Sequence, residues 1–308
     1  MSEPNIAVLI PCYNEQATVG TVVEAFRAEL PDARVYVFDN ASTDATARRA
    51  EQAGATVIRE PRRGKGNVIE TMFDAIDADI YVMVDGDDTY PPDSVHALIE
   101  PLRHRRADMT VGARLSEYED TSFRPLHVAG NSLVRRLINR IFHTNLTDIL
   151  SGYRAFNRRV VDRVPIVSSG FEVETELTIH MLYYRLAVVE VQVPYRARPA
   201  GSSSKLRTFH DGARVLWKLF SLIRAYKPLT FFGAMAILAF LLGLLAGATP
   251  INDWITTGEV PHVGLSIIAA SLVTLSIMLF LVGLILHAMN WRFKELHNVL
   301  CRRAHRER

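Results

Sequence analysis

The sequence predicts an α/β fold in which helices cover a mostly parallel β-sheet, followed by two helices that span a membrane. The first observation is that short apolar segments alternate with helical segments along the first third of the chain. This alternation is typical of parallel, doubly wound sheets. The second observation is that most apolar residues after position 228 fall into two long runs that are almost free of charge. Each run is long enough to cross a bilayer as a helix.

The predicted strands are short segments rich in β-branched and aromatic residues. They cover Asn5–Ile10, Arg34–Phe38, Thr56–Arg59, Ile80–Val84, Met109–Ala113 and Val188–Tyr195. The predicted helices have apolar residues at helical spacing. They cover Glu15–Leu30, Asp44–Ala53, a segment from "EPRRGKGN" to about Asp77, Leu126–Phe142 and Glu172–Leu186. Ser42 or Thr43 is the predicted N-cap of the second helix.

An acidic turn follows the buried strand Ile80–Val84. Asp85 and Asp87 stand two residues apart there, and Gly86 keeps the space between them clear. Two carboxylates at this spacing can share a hard cation such as Mg2+ or Mn2+, together with the phosphate oxygens of a ligand. A turn without any ligand is the alternative, since Asp and Gly are common turn residues.

Four predicted strands end in polar clusters, and in a parallel sheet these ends lie along one edge, where such sheets bind ligands. The clusters are Tyr13, Asn14 and Glu15; Asp39 and Asn40; Arg63, Gly64 and Lys65; and Asp85 with Asp87. Asp39 and Glu15 can accept hydrogen bonds from a base and a ribose, and a flexible "RRGKG" segment would bring backbone and a cation near phosphate. Loop polarity explains each cluster alone, but their coincidence predicts one nucleotide site.

Composition excludes some classes of function. The 308-residue chain has a net charge of +2, so nothing indicates a nucleic-acid partner. Its two cysteines, Cys12 and Cys301, stand at opposite ends of the chain, which argues against a disulfide framework and favours a reducing, cytosolic face.

The ordered motifs "PCYNE", "DNASTD", "RRGKGN" and "VDGDD" resemble the family 2 glycosyltransferases of GT-A type. Further along, "DILSGYRAFNRR", "GFEVETEL" and "RPAGSSSKL" are similar to the polyprenyl-phosphate branch, which includes dolichyl-phosphate mannose synthases. The resemblance covers about Asn5–Arg207. It implies a Rossmann-like GT-A domain, a nucleotide-sugar donor, a divalent metal at Asp85 and Asp87, and an inverting displacement.

The resemblance and the residue patterns together assign the site. The nucleotide-sugar residues are Pro11, Tyr13, Glu15, Asp39, Asn40, Gly64, Lys65, Asp85, Gly86 and Arg198. The catalytic residues are Asp87, Asp148, Arg154 and Lys205, of which the resemblance alone implies Asp148 and Arg154. Two positions depart from the family pattern: Asn40 replaces a common second Asp, and Thr89 replaces a common Gln. The second departure leaves the third protein ligand of the metal open, with Asp88 as a substitute.

The predicted helix Leu126–Phe142 has an apolar face that includes Val134 and Ile138, with arginines opposite. Such a helix can lie in the membrane interface. It can equally pack its apolar face on the catalytic core with its arginines in water, and the sequence leaves both open. The residues predicted to meet the acceptor phosphate are Arg124, Arg135, Arg136 and Arg140, together with Ser151, which the family resemblance alone implies.

Two further segments follow. Glu172, Glu174 and Glu176 lie near the start of a predicted helix, where the helix dipole favours acids, and no catalytic role is predicted for them. "RARPAGSSSKL" predicts a mobile cationic loop in which Arg198 and Lys205 counter the charge on the departing nucleotide. A hinge leading into the next helix is the alternative.

The C-terminal third predicts a membrane hairpin with spans Leu229–Ala248 and Gly264–Met289 and a loop Pro250–His262. Lys and Arg flank the pair but are absent from the loop, which places the catalytic domain and both termini in the cytoplasm of a cell (inner) membrane. His210–Tyr226 predicts an amphipathic interface helix. The predicted regions are a GT-A domain (1–209), the interface helix (210–227), two spans (228–290) and a basic tail (291–308).

The function predicted from the sequence is inverting transfer of a sugar from a UDP- or GDP-sugar to a polyprenyl phosphate at the cytoplasmic face. The alternative enzyme is a polysaccharide synthase with a hydroxyl acceptor, although the "QxxRW" motif of that class is absent. A scaffold that only binds nucleotide-sugars would not need the acceptor-half motifs. The predicted partners are the donor, the lipid phosphate and the membrane, and self-association is left open. The sequence does not specify the sugar, the base or the prenol length.

Overall fold

The computed structural model describes residues 4–114, 125–170, 172–196, 217 and 220–306. The chain divides into two compact units, Met1–Leu219 and Phe220–Arg308. The first unit contains the sheet and the second contains the two long C-terminal helices.

The first unit alternates strands and helices as predicted. Its strands are β1 (Ile6–Cys12), β2 (Arg34–Asp39), β3 (Thr56–Arg59), β4 (Ile80–Met83), β5 (Met109–Arg114), β6 (Arg154–Asn157) and β7 (Val188–Val193). Its helices are α1 (Val19–Glu29), α2 (Thr46–Gln52), α3 (Lys65–Ala75), α4 (Val95–Arg103), α5 (Pro125–Phe142), α6 (Arg158–Val161) and α7 (Val173–Tyr183). A short 3-10 turn, Pro92–Ser94, precedes α4.

The seven strands form one sheet in the order β3-β2-β1-β4-β6-β5-β7. All neighbouring pairs are parallel except those of β6, which runs antiparallel to β4 and β5. The prediction of a mostly parallel sheet is confirmed. The segment before β6 stays at the edge where the other strands end, so β6 starts there and runs in the opposite direction.

Apolar side chains pack on both faces of the sheet. Along β1, Val8 and Ile10 belong to the cluster that also contains residues of α1 and α4. The alternate residues Ala7 and Leu9 belong to a second cluster with residues of α3 and α7. Because successive strand residues point to opposite faces, these two layers bury the central strands on both sides.

The predicted N-cap of α2 is wrong. This helix begins at Thr46, and neither Ser42 nor Thr43 caps it. The Ser42 hydroxyl instead accepts a hydrogen bond from the Asn14 backbone N–H at 3.0 Å, and the Thr43 N–H donates to Asn14 Oδ1 at 2.8 Å. These side chains join the turns after β1 and β2. Helix-capping preferences consider only residues close to the helix start, so they do not predict this contact.

The second unit contains a helical segment at residues 220–226, followed by α8 (Pro228–Thr257) and α9 (Val263–Arg306). Both are long and apolar enough to cross a membrane, and only 17% of the most apolar window of each is buried. The predicted loop Pro250–His262 is wrong in extent, because α8 continues through Pro250 to Thr257 and is capped by Gly258 with φ +75°. The two helices pack closely: a Cβ on Gly243 would lie 3.3 Å from the Ala269 carbonyl oxygen.

Candidate active site

The predicted nucleotide and metal residues that the structure describes gather along one edge of the sheet. The strands β1, β2, β4, β5 and β7 end at this edge, and the antiparallel β6 begins there. The polar turns after these strands are therefore neighbours in space although they are distant in the sequence. This is the edge where open α/β sheets bind ligands.

Asn40 organises the loop that follows β3. Its side-chain amide donates to the carbonyl oxygens of Glu60 at 3.2 Å and Arg62 at 2.7 Å, and its Oδ1 accepts the Gly64 N–H at 2.7 Å. An aspartate has no side-chain N–H and could not make the first two bonds. Asn40 thus has a structural reason to depart from the family's aspartate. Its neighbour Asp39 is buried and accepts the Ser42 N–H at 3.2 Å.

The "RRGKG" loop is held firmly in the structure, whereas the sequence suggested a flexible segment. Glu60 accepts hydrogen bonds from the Arg62 guanidinium at 2.9 Å and from Thr71. The Arg62 contacts lower the pKa of Glu60 to about 2, in spite of its burial. At the end of the loop, the Gly66 N–H donates to the Ser169 carbonyl, so this amide is already used inside the protein.

Two cations of this loop contact side chains of other elements at the sheet edge. The Arg63 guanidinium lies over the Tyr13 ring, 5.4 Å from its centre. Lys65 Nζ lies 2.5 Å from Asp85 Oδ1 and 2.7 Å from Glu174 Oε1. Burial lowers the pKa of Lys65, but the two carboxylates outweigh burial and raise this pKa above its ordinary value.

Hydrogen bonds and packing with nearby residues hold the acidic turn in its conformation. Asp87 is buried and accepts hydrogen bonds from Thr89 Oγ1 at 2.6 Å and from the Thr89 N–H at 3.2 Å. Thr89, which replaces the family's glutamine, therefore positions Asp87. Gly86 has a packing role as well, since a Cβ there would lie 2.5 Å from Cys12 Sγ.

The residues of this turn could supply some, but not all, of the ligands of a hard divalent cation. Asp85 and Asp87 offer the carboxylate oxygens that Mg2+ and Mn2+ prefer. Within the part of the chain that the structure describes, no group of three His, Cys, Asp or Glu residues converges to hold a metal. Asp88 has φ +59° and does not complete such a group. A cation here would take its remaining ligands from a bound phosphate or from water.

Arg114 is a site residue that the sequence analysis missed. At the end of β5 its Nε and Nη2 donate to Asp148 Oδ2 at 2.7 Å and Oδ1 at 3.0 Å. The guanidinium also lies over the Tyr195 ring at 5.3 Å. Burial alone would raise the pKa of Asp148, but the hydrogen bonds and charge of Arg114 lower it. The strand-end rule applied to the first four strands would have found Arg114 if extended to the fifth.

Ser151 and Arg154 are fully buried, although the family resemblance implied that they border the reaction centre. Ser151 Oγ donates to the Gly112 carbonyl at 2.7 Å. Arg154 donates to the carbonyls of Ser151 and Ile149, both at 2.8 Å, and to Thr178 Oγ1 at 3.0 Å. In this structure both residues therefore shape the turn before β6 from inside the protein.

The helix α5 buries part of its apolar face. Val134 and Ile138 are buried, whereas Leu133 is 52% exposed. Among the predicted acceptor residues, Arg136 and Arg140 are exposed, and Arg135 donates to the Thr147 carbonyl at 3.2 Å, next to Asp148. The predicted residues Arg124, Arg198 and Lys205 lie outside the described residues.

The three glutamates at the start of α7 do more than favour the helix dipole. All three are buried. Glu174 binds Lys65, and Glu176 accepts the backbone N–H groups of Val167 and Ser168. The expectation that dipole stabilisation accounts for them was incomplete, because Glu174 contacts a lysine far away in the sequence and Glu176 holds the loop that precedes the helix.

The model of the family described as Glycosyl transferase family 2 matches residues 7–164. The chain belongs to this family. As a family 2 glycosyltransferase it is 29% identical to the glycosyltransferase AglJ of Haloferax volcanii over 281 residues, 91% of this chain and 92% of that relative. It is 30% identical to the dolichyl-phosphate hexose transferase of the same organism over 213 residues, 68% of this chain and 90% of that relative.

Among solved structures, this glycosyltransferase is similar to glucosyl-3-phosphoglycerate synthase from Mycobacterium tuberculosis in complex with Mn2+, UDP-glucose and phosphoglyceric acid. The sequences are 25% identical, the TM-score is 0.60, and the match covers 71% of this chain and 80% of that one. The predicted enzyme class, the GT-A fold and the resemblance to the polyprenyl-phosphate branch are confirmed.

Proposed function

We propose that this enzyme transfers a sugar, with inversion, from a UDP- or GDP-sugar to a polyprenyl phosphate at the cytoplasmic face of a membrane. The observation that carries this proposal is the Arg114–Asp148 ion pair at the sheet edge that also holds the acidic turn. An arginine fixed in this way is suited to hold a phosphate oxygen. The dolichyl-phosphate hexose transferase among the relatives supports a lipid-phosphate acceptor.

The donor half of the proposed site comprises the ends of β1, β2 and β4 and the start of α3. Pro11, Tyr13, Glu15 and Asp39 would hold the nucleoside, and Lys65 would meet a donor phosphate. Asp85 and Asp87 would hold a divalent cation, which supplies positive charge against the donor diphosphate. The solved relative bound to Mn2+ and UDP-glucose supports this class of cofactor and donor, while the choice between Mg2+ and Mn2+ stays open.

The acceptor needs positioning rather than deprotonation. A phosphate monoester has its second pKa near ~6, so at neutral pH it is largely an anion. Arg114 can offer N–H groups to this anion, and Asp148 holds the guanidinium in place. Exposed Arg136 and Arg140 on α5 would draw the anionic lipid head group toward the site. Asp148 in this arrangement is a positioning residue and accepts no proton from the acceptor.

The proposed reaction is one displacement. An oxygen of the lipid phosphate attacks the anomeric carbon of the donor sugar and forms the new C–O bond. The bond from that carbon to the diphosphate oxygen breaks, and the nucleoside diphosphate leaves with the electron pair. Attack from the face opposite the leaving group inverts the configuration. Lys65 would stabilise the negative charge that the diphosphate acquires, and Arg198 and Lys205 stay proposals for the same role.

The proposed membrane arrangement follows from charge. Lys218, Arg224 and Lys227 precede α8, and Arg292, Lys294 and further arginines follow the apolar part of α9, while residues 258–262 between the helices contain no Lys or Arg. The positive-inside rule then places the first unit and both termini on the cytoplasmic side. We retain the domain limits 1–209, 210–227, 228–290 and 291–308 as part of this proposal.

The experiment is a transfer assay on membranes that contain the full chain. Radiolabelled UDP- and GDP-sugars are supplied in separate reactions, and the lipid is then extracted and separated. We expect one donor to label a polyprenyl-phosphate product, and no labelling with Asp87→Asn. Label that enters a polymer with a free hydroxyl acceptor, or only a water-soluble product, would contradict the lipid-phosphate proposal.

A further inference from the structure

The ammonium group of Lys65 neutralises Asp85 in this structure. It lies 2.5 Å from Asp85 Oδ1 and 2.7 Å from Glu174 Oε1, and the Lys65 side chain is only 10% exposed. The other oxygen of Asp85 is confined too, since a Cβ on Gly152 would lie 2.2 Å from Oδ2. One oxygen of the first carboxylate of the acidic turn is therefore bonded to an ammonium group, and the other lies close to Gly152, while the Asp85 side chain is 28% exposed.

The second carboxylate of the turn has one oxygen already engaged in hydrogen bonds, which reduces what it can offer to a cation. Asp87 is already bonded to Thr89 through Oδ1. The described residues bring no third His, Cys, Asp or Glu to the turn as a metal ligand. A divalent cation that arrived alone would meet two protein carboxylates, one of which carries a competing ammonium group.

We propose that Lys65 makes cation binding depend on the donor: it holds Asp85 until a donor phosphate draws the ammonium away, and Asp85 then becomes a metal ligand. This inference rests on the proposed function, because it requires a donor diphosphate at this edge. The cation and the nucleotide enter as a pair, and a cation without its nucleotide is not retained.

Glu174 makes this exchange practicable. It is buried on α7 and bonds the same ammonium group as Asp85. When Lys65 leaves Asp85, Glu174 keeps one carboxylate contact to it, so the lysine moves from two carboxylates to one carboxylate and a phosphate. A buried lysine that lost both partners would bear the full cost of desolvation. Glu174 is thus a positioning residue that acts through Lys65.

The cation and the nucleotide must then raise each other's binding affinity by the same factor. If a nucleoside diphosphate raises the affinity for Mn2+ by some factor, Mn2+ raises the affinity for the nucleotide by the same factor. Part of this coupling comes from ordinary attraction between the cation and the diphosphate. The part due to Lys65 is the part that disappears when its ammonium is removed.

The test measures Mn2+ binding to the full chain in detergent, from the electron paramagnetic resonance signal of free Mn2+, alone and with UDP or GDP. We expect weak binding to the wild type alone and stronger binding with one of the two nucleotides. In Lys65→Met, Mn2+ alone should bind about tenfold more tightly, since a competing charge has left the carboxylate. The gain in Mn2+ affinity on adding nucleotide should shrink by a similar factor.

Two further variants separate competition from net charge. K65M/E174Q removes one charge of each sign, so the net charge of the site stays that of the wild type. Because both new side chains are neutral, the variant leaves no unpaired buried glutamate that would destabilise the fold. If direct competition operates, this variant also binds Mn2+ alone more tightly than the wild type. Arg63→Met removes a cation from the same loop that lies over Tyr13, and its affinity for Mn2+ alone should stay within about twofold.

The outcomes are distinguishable. The inference is overturned if the wild type binds Mn2+ with a nucleotide but K65M and K65M/E174Q bind Mn2+ alone no more tightly than it does. It is also overturned if K65M/E174Q behaves as the wild type, since net charge then explains the result. If no nucleotide changes Mn2+ binding to the wild type, the proposed donor site fails, and the inference fails with it.

Discussion

Arg114 and Asp148 face each other at the end of β5 and form a two-pronged ion pair, with Nε to Oδ2 at 2.7 Å and Nη2 to Oδ1 at 3.0 Å. The Arg114 backbone N–H also donates to Asp148 Oδ2 at 3.3 Å. A carboxylate bonded in this way is an orienting group. Its lowered pKa means that it is ionised at neutral pH and a poor proton acceptor.

The first prediction concerns this pair. Arg114→Ala should raise the KM for the lipid phosphate about 30-fold, because one partner of a close charge pair costs about 2 kcal/mol or more when truncated. Donor binding should survive, as measured by nucleotide titration. Arg103→Ala, at the end of α4, is the control for loss of an arginine.

Asp148→Asn separates orientation from base catalysis. The variant should lower the rate about tenfold and leave both limbs of the pH–rate profile in place. Because the folded pKa of Asp148 is depressed, its charge is lost only as the pH falls through that low value, outside the neutral assay range. An acidic limb in the wild type that vanishes in Asp148→Asn would make Asp148 a general base and favour a hydroxyl acceptor.

The second prediction is metal dependence. Asp85→Asn or Asp87→Asn should cut turnover by about 10²-fold or more, on the scale lost when one electrostatic stabiliser is removed. Activity should disappear in excess EDTA and return with Mg2+ or Mn2+. Full activity in EDTA would contradict the assignment of these two carboxylates. Asp93→Asn, in the short turn before α4, is a matched control that should retain activity.

The third prediction concerns the loop after β3. Glu60→Gln should lower the free energy of unfolding by about 2 kcal/mol, because a neutral amide replaces the buried carboxylate that accepts hydrogen bonds from Arg62 and Thr71. Glu70→Gln removes the exposed partner of the same arginine and should cost less than about 1 kcal/mol.

The effect of Glu60 should depend on pH. The pKa of Glu60 is about 2 in the folded protein against an ordinary 4.5. Its contribution is therefore complete above pH 4.5 and is lost as the pH falls toward 2. Thermal unfolding followed by circular dichroism should show a smaller gap between wild type and Glu60→Gln at about pH 3.5 than at neutral pH. A gap that is independent of pH would show that Glu60 acts through packing alone.

The parts of the fold that were predictable follow from local pattern. Alternating apolar strands and helices predicted the sheet, and the strand-end rule predicted its functional edge. The contacts that complete the site join residues far apart in sequence: Lys65 with Glu174, and Arg114 with Asp148. Periodicity and motifs do not predict which basic side chain meets which carboxylate, because the pairing depends on how the loops lie along the edge of the sheet. For the same reason the buried position of Arg154 was not foreseen.

The fourth prediction tests membrane orientation. In a Cys301→Ser background, where Cys12 is buried, cysteines are placed at Glu259 between the two long helices and at Arg306 near the end of α9. An impermeant thiol reagent applied to intact cells should label Glu259→Cys and leave Arg306→Cys unlabelled until the cells are opened. Labelling of Arg306→Cys alone in intact cells would reverse the orientation.

The fifth prediction follows from the close approach of two loops. A Cβ on Gly66 would lie 1.7 Å from the Ser168 carbonyl oxygen, a distance that no side-chain movement can relieve because the obstacle is backbone. The Ser168 N–H is itself held by buried Glu176 at 2.8 Å, so this loop cannot yield without breaking that bond. Gly66→Ala should therefore destabilise the enzyme by about 2 kcal/mol or more.

Gly20→Ala in α1 is the matched control for Gly66→Ala. A Cβ there meets its nearest atom, the Arg49 carbonyl oxygen, at 4.0 Å. Because alanine is the better helix former, this variant should be as stable as the wild type or more stable by up to about 1 kcal/mol. The measurement is the thermal midpoint of each variant in detergent, together with proteolysis of the two loops. Equal midpoints for Gly66→Ala and Gly20→Ala would show that the contact between Gly66 and Ser168 does not constrain the folded enzyme.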